Sequence, residues 1–87
     1  MIPSSTAFKL GDEAANELIS AHLLFPEFNG GHEGYAVLLE EVEELWAEVK
    51  ASKPHDRRLK QMRKEAIQVA AMALRFVHDV CDKDSAT

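Results

Sequence analysis

The 87-residue chain has a single cysteine, Cys81, which excludes an intrachain disulfide and any zinc site built on paired cysteines. A lone thiol suits a reducing compartment. The opening MIPSSTAFKL has no apolar stretch of signal-peptide type, and no run anywhere is long enough to span a bilayer, so a cytoplasmic protein without a membrane partner is expected. Positive charge is in deficit, with 10 Lys and Arg against 15 Asp and Glu and a formal net charge of −5. That balance argues against a nucleic-acid partner. A small phosphorylated ligand stays compatible with it, because a bound cation reverses the local sign. Internal repeats are missing, and so is the two-residue alternation of a β-strand.

What the chain does have is helical periodicity. Hydrophobic residues make up 46% and charged residues 29%, the composition of a folded domain. After an irregular lead-in over residues 1–10, Asp12 is expected to cap a shorter first helix over about 12–24, with Ala15, Leu18, Ile19 and Leu23 on its apolar face. FPEFNGG interrupts it through Pro26 and the Gly30–Gly31 pair. A second helix is expected over about 32–51, where Tyr35, Leu38, Leu39, Val42, Leu45, Trp46 and Val49 recur at three- and four-residue steps. SKPHD ends it, and Asp56 would cap a third helix over about 57–80. Residues 82–87 read as a frayed tail. The expected fold is all-α, one domain over 1–87: a helical hairpin plus a shorter helix. Apolar surface left uncovered by so small a domain would be buried by a homodimer or homotetramer that completes a four-helix bundle. The alternative is that the first helix covers the hairpin alone.

The second helix also concentrates acid. Glu40, Glu41, Glu43 and Glu44 fall within five positions and Glu48 follows. On a helical wheel Glu41, Glu44 and Glu48 gather opposite the apolar stripe, with Glu40 beside them. On the third helix Gln61, Glu65, Gln68, Met72, Arg75 and Asp79 share a face, flanked by Lys64. Antiparallel packing would bring Glu41 and Glu44 toward Glu65 and Gln68, and oxygen donors from two helices suit magnesium or manganese. A solvated acidic face is the simpler reading of the same residues. Trp46, near the apolar stripe, reads as core packing rather than base stacking, and Cys81 as packing rather than catalysis. His32 reads as a boundary residue. Lys64 and Arg75 can serve phosphate or pair with neighbouring acids.

Together, Glu40-Glu41-Val42-Glu43-Glu44 and the later KEAIQVAAMALRF resemble the MazG-like, all-α nucleoside triphosphate pyrophosphohydrolases. That family carries E-E-x-x-E on one helix and E-x-x-D on the next, and the resemblance covers roughly residues 32–80. It implies magnesium-dependent cleavage of a (deoxy)nucleoside triphosphate to monophosphate and pyrophosphate. Glu41, Glu44 and Glu65 would be metal ligands and Glu40 a neighbouring acid in the catalytic group. Gln68 stands where the family has aspartate, so that ligand position would offer an amide oxygen without charge, a deficit that Glu48, one turn from Glu44, is expected to offset. A non-catalytic nucleotide- or partner-binding dimer of the same fold is the alternative implied by that departure.

Overall fold

The computed structural model describes residues 1–83. It has three helices of nearly equal length: α1 (Ser4–Leu24), α2 (Gly31–Lys50) and α3 (His55–Phe76). A π-helical segment, Val77–Asp82, continues α3 without a break. No strand occurs among the described residues, so the fold is all-α.

α1 begins well inside the stretch expected to be irregular. Pro3 is extended and precedes the first turn, and its carbonyl accepts from the Ala7 amide at 3.1 Å. Asp12 therefore lies within the helix rather than capping it. With 21 residues, α1 is as long as its neighbours. Phe25 is extended, as a residue before proline must be, and its amide closes the last turn onto Ala21 O at 2.9 Å. The four-residue link 51–54 turns the chain back, so α2 and α3 form the expected antiparallel hairpin. Pro54 starts α3, whose first turn contains Asp56, so Asp56 is not the cap either. At the other end Asp82 belongs to the π-helical segment and Lys83 is helical, not frayed. The rest of the expected tail, residues 84–87, lies outside the described residues.

α3 is central and packs on both α2 and α1. The core is small: Ala21, Ala71 and Met72, with Leu18, Val37 and Leu38 against them. No large side chain is fully buried among the described residues. Ala71, at 0% exposure, lets the helices approach closely. Gly34 does the same for α2: a Cβ there would stand 2.8 Å from the Phe76 ring and 3.1 Å from that of Phe28.

The apolar stripe of α2 is split by this packing. Val37, Leu38 and Leu45 turn inward, while Tyr35, Leu39, Val42, Trp46 and Val49 remain exposed. Trp46, expected in the core, is 56% exposed, with Lys50 Nζ 5.3 Å from its ring centroid. Cys81 is exposed as well. The radius of gyration, 14.5 Å, exceeds the roughly 12 Å of a compact domain this size.

The close approach at Gly34 sets a direct test. Alanine gains helix propensity worth about 1 kcal/mol, but overpacking against two rings costs about 1–3 kcal/mol. Gly34→Ala is expected to lower the melting temperature by several degrees. An unchanged or higher melting temperature would show that Phe28 and Phe76 yield freely.

Candidate functional site

Glu41 and Glu44 are three residues apart on α2 and so share a face. Glu65 meets them from α3. One carboxylate oxygen of each lies within 4.8 Å of the others. Glu41 and Glu65 are half-buried and Glu44 is exposed. Burial pushes the Glu41 carboxyl above the usual glutamate range, and the charges of Glu44, Glu65 and Glu40 push it further. Burial also raises Glu65, assisted by Glu44 and Glu48 and opposed by Lys64. Glu44 acts on both of the others, so it is the middle member. The cluster is short of positive charge. An octahedral magnesium ion holds adjacent oxygen ligands about 3 Å apart and opposite ones about 4.2 Å apart, so these donors are near enough to be drawn onto one hard divalent cation.

The other expected site residues sit differently. Glu40 is exposed and reaches the cluster only through its charge on Glu41. Glu48 is held by Lys53, whose Nζ lies 2.9 and 3.2 Å from its two oxygens, so it is committed to the α2–α3 link rather than to the position it was expected to reinforce. Gln68 turns its amide toward α1, donating from Nε2 to Glu17 Oε2 at 2.8 Å. That contact fixes the side chain and leaves its carbonyl oxygen as the remaining polar atom. Lys64 is exposed and lines a groove between α1 and α3 with Lys60, Arg63 and Glu13. Arg63 and Glu13 form a two-pronged ion pair across that groove.

Arg75 is not an open phosphate receptor. It is 5% exposed. Its Nη2 donates to Pro26 O at 2.7 Å, its Nε lies 3.4 Å from Asp79 Oδ2, and its guanidinium stacks 4.0 Å from the centroid of Phe28. The neighbouring acid it pairs with is Asp79. Its role is to hold the 25–28 connector against α3.

Beside the cluster lies a cavity of about 510 Å³, open to solvent. Leu24, Phe25, Phe28, Val37 and Met72 make its apolar wall, and Glu17, Glu33 and Glu41 stand among them. Its volume falls in the range of small-molecule sites. Glu41 belongs to both cavity and cluster, so the two adjoin. Glu17, Phe25, Phe28 and Glu33 were not legible as site residues. Their one signal is the pair of phenylalanines around Pro26 in FPEFNGG, a segment whose breakers overshadow it. Glu33 is oriented by Asn29, which donates from its amide side chain at 2.8 Å.

No family model, curated protein or solved structure matches the chain.

The raised carboxyls determine a pH effect. A carboxyl whose pKa rises on folding holds its proton more tightly in the folded chain, so it disfavours folding at neutral pH and does so less as pH falls through the raised value. Metal-free Glu41→Gln is therefore expected to melt about a few degrees above wild type near neutral pH, with the difference closing on acidification toward the carboxylate range. Millimolar magnesium should raise the wild-type melting temperature and leave that of Glu41→Gln nearly unchanged. A metal response surviving in Glu41→Gln would remove Glu41 from the ligand set.

Proposed function

We propose that the chain is a magnesium-dependent nucleoside triphosphate pyrophosphohydrolase that works as a homo-oligomer. The observation that carries this reading is the continuity of a hard-cation donor set with a largely apolar cavity through one residue, Glu41. A nucleotide has the matching two-part chemistry: a flat, weakly polar base and a polyphosphate that needs a cation. The base would enter among Phe25, Phe28, Val37 and Met72, where stacking and burial favour it. Glu17 and Glu33 offer acceptors for amino or hydroxyl groups. The phosphates would extend toward Glu41, Glu44 and Glu65.

Magnesium held there would supply charge neutralisation of the phosphates and polarisation of a water molecule. The protein's own part is positioning and proton transfer. Glu41, Glu44 and Glu65 hold the cation side of the substrate, and the cavity holds the nucleoside so that the α-phosphorus faces the attacking water. The water oxygen bonds to that phosphorus, the bond from it to the bridging oxygen breaks, and pyrophosphate leaves with the electron pair. The water's proton passes to a carboxylate. Glu40, outside the three-carboxylate group yet next to Glu41 in the chain, is the acceptor we assign.

Oligomerisation follows from the outward side of α2. Tyr35, Leu39, Val42, Trp46 and Val49 are spaced four, three, four and three residues apart, the seam of a coiled coil. All are exposed, and the monomer's core is too small to compensate. A second copy of the same seam would cover them, contributing about 1.5–3 kcal/mol per large side chain fully buried. Two α2–α3 hairpins would then form a four-helix bundle with its acidic clusters turned away from the seam.

Two measurements test these statements separately. Pyrophosphate release should be detectable across a panel of nucleoside triphosphates with magnesium or manganese, and Glu65→Gln and Glu44→Gln should each reduce it by about a hundredfold or more, as loss of a charged ligand implies. Equal turnover by wild type and Glu65→Gln would sink the catalytic assignment. Absence of turnover on every nucleotide, with nucleotide-dependent stabilisation retained, would make the chain a binding module, a role with which the uncharged Gln68 agrees. For assembly, light scattering at micromolar concentration should give a dimer or tetramer, and Trp46→Glu should give a monomer of lower melting temperature. An oligomer unaffected by Trp46→Glu would place the interface elsewhere.

A further inference from the structure

We propose a second metal site, distinct from the glutamate cluster and suited to zinc-class transition metals, formed by His22 Nε2, His78 Nδ1 and Asp79 Oδ1. It lies where the last turn of α1 meets the π-helical segment, and Asp79 contacts Arg75 and Phe28 of the cavity wall.

The three donors come within 4.8 Å of one another. His22 Nε2 is 3.5 Å and His78 Nδ1 2.7 Å from the same oxygen, Asp79 Oδ1. The two imidazole rings are 4.9 Å apart at 86°, an edge-to-face pair rather than a stack. Perpendicular rings can each aim a nitrogen in the ring plane at a common point. Asp79 is held for the purpose. Its side chain is fully buried, and its other oxygen, Oδ2, accepts from the Phe28 amide at 3.1 Å and faces Arg75 Nε at 3.4 Å. One oxygen therefore anchors the carboxylate, and the other is left to the two histidines.

The backbone adds an independent indication. His78 and Asp79 both lie in the π-helical segment, and among the described residues this is the one departure from α-helical winding inside a helix. The wider turn costs hydrogen-bond quality, and such segments occur frequently at functional sites. Here it carries two consecutive residues toward α1.

The chemistry of the donors selects the ion. Imidazole nitrogen favours zinc, cobalt, nickel or copper over magnesium, whereas the Glu41, Glu44 and Glu65 group offers only oxygen. Tetrahedral zinc with ligands at about 2.0–2.1 Å places its donors about 3.3 Å apart. The His22–Asp79 separation already fits. The His78–Asp79 separation is that of a hydrogen bond. A metal ion would replace the proton held between them. His78 has the freedom to open by the required half-ångström or so, because its side chain is 60% exposed. The same exposure gives the ion a path in and leaves room for water as fourth ligand.

Bound metal would fasten α1 to the segment following α3. Through Oδ2 of Asp79 it would also fix Phe28 and Arg75, two residues of the cavity wall. The site is thus a brace for the cavity.

The test uses the full chain, stripped with chelator and titrated with cobalt(II) followed by visible absorption, then with zinc by calorimetry. One ion per chain is expected, with cobalt bands of a low-coordinate nitrogen–oxygen site that zinc abolishes and millimolar magnesium does not. His22→Gln and His78→Gln, confirmed as folded by circular dichroism, should each weaken binding about tenfold or more, and the double variant should lose it. Glu41→Gln with Glu44→Gln should bind cobalt like wild type. Wild-type affinity in the His22→Gln/His78→Gln double variant would overturn the site, since His32 and His55 are retained there and would be the ligands instead. Loss of cobalt binding in the glutamate variant, or no cobalt binding by folded wild type at millimolar metal, would overturn it equally.

Discussion

The close packing that Gly34 and Ala71 permit decides how α2 is turned, and much else depends on that orientation. Glu41, Glu44 and Glu65 lie within 4.8 Å, and Glu41 and Glu65 are half-buried by the packing that brings them together. Burial disfavours their ionised forms and like charges repel, and both effects raise the pKa values of Glu41 and Glu65. The packing that outweighs this repulsion is made of small residues. Gly34 lets α2 approach the rings of Phe28 and Phe76, and Ala71 lets α3 approach its neighbours. Because helix contacts are short-range, the acids enter the interface with the glycine, about two and three turns further along the same face.

A helix that turns its acids inward turns its best apolar stripe outward. Leu39, Val42, Trp46 and Val49 are consequently exposed, while the core beneath α2 consists of modest side chains. The opposition is geometric, since residues on opposite sides of one helix cannot both face the same neighbour. Uncovered apolar surface and an uncompensated acidic group are two results of one rotation of α2.

The other end of the molecule answers its charges internally. Arg75 and Asp79 are buried one helical turn apart, and the connector between α1 and α2 is tied to both: Pro26 O to Arg75 and the Phe28 amide to Asp79. Burial opposes ionisation of Asp79, but the bonds from His78 and the Phe28 amide, with the charges of His22 and Arg75, outweigh it and hold the carboxyl below its usual range. The cavity lies between these two regimes, with a braced wall at Phe28 and Arg75 and an acidic lip at Glu41.

The sequence by itself determined the all-α class, the hairpin of α2 and α3, and the shared helix face of Glu41 and Glu44, because three- and four-residue periodicity and the spacing of Glu41 from Glu44 are local properties of a helix; the packing of α3 decided that Glu65 meets them. It did not reveal that α1 begins at Ser4, since hydroxyl residues after a proline serve a loop and a first turn equally well. It also could not say which side of α2 faces the core. A tryptophan in an apolar stripe reads as buried whether the covering surface belongs to its own chain or to another, and only the packing at Gly34 and Ala71 turned Trp46 outward. Arg75 and Gln68 shared a face with Glu65 on the wheel, yet their partners are Pro26, Asp79 and Glu17, of which Pro26 and Glu17 lie about fifty positions away in the chain. The meeting of His22 with His78 and Asp79 is likewise a matter of tertiary structure: no local period relates positions so far apart, and the π-helical turn that presents them has no signature in residue spacing.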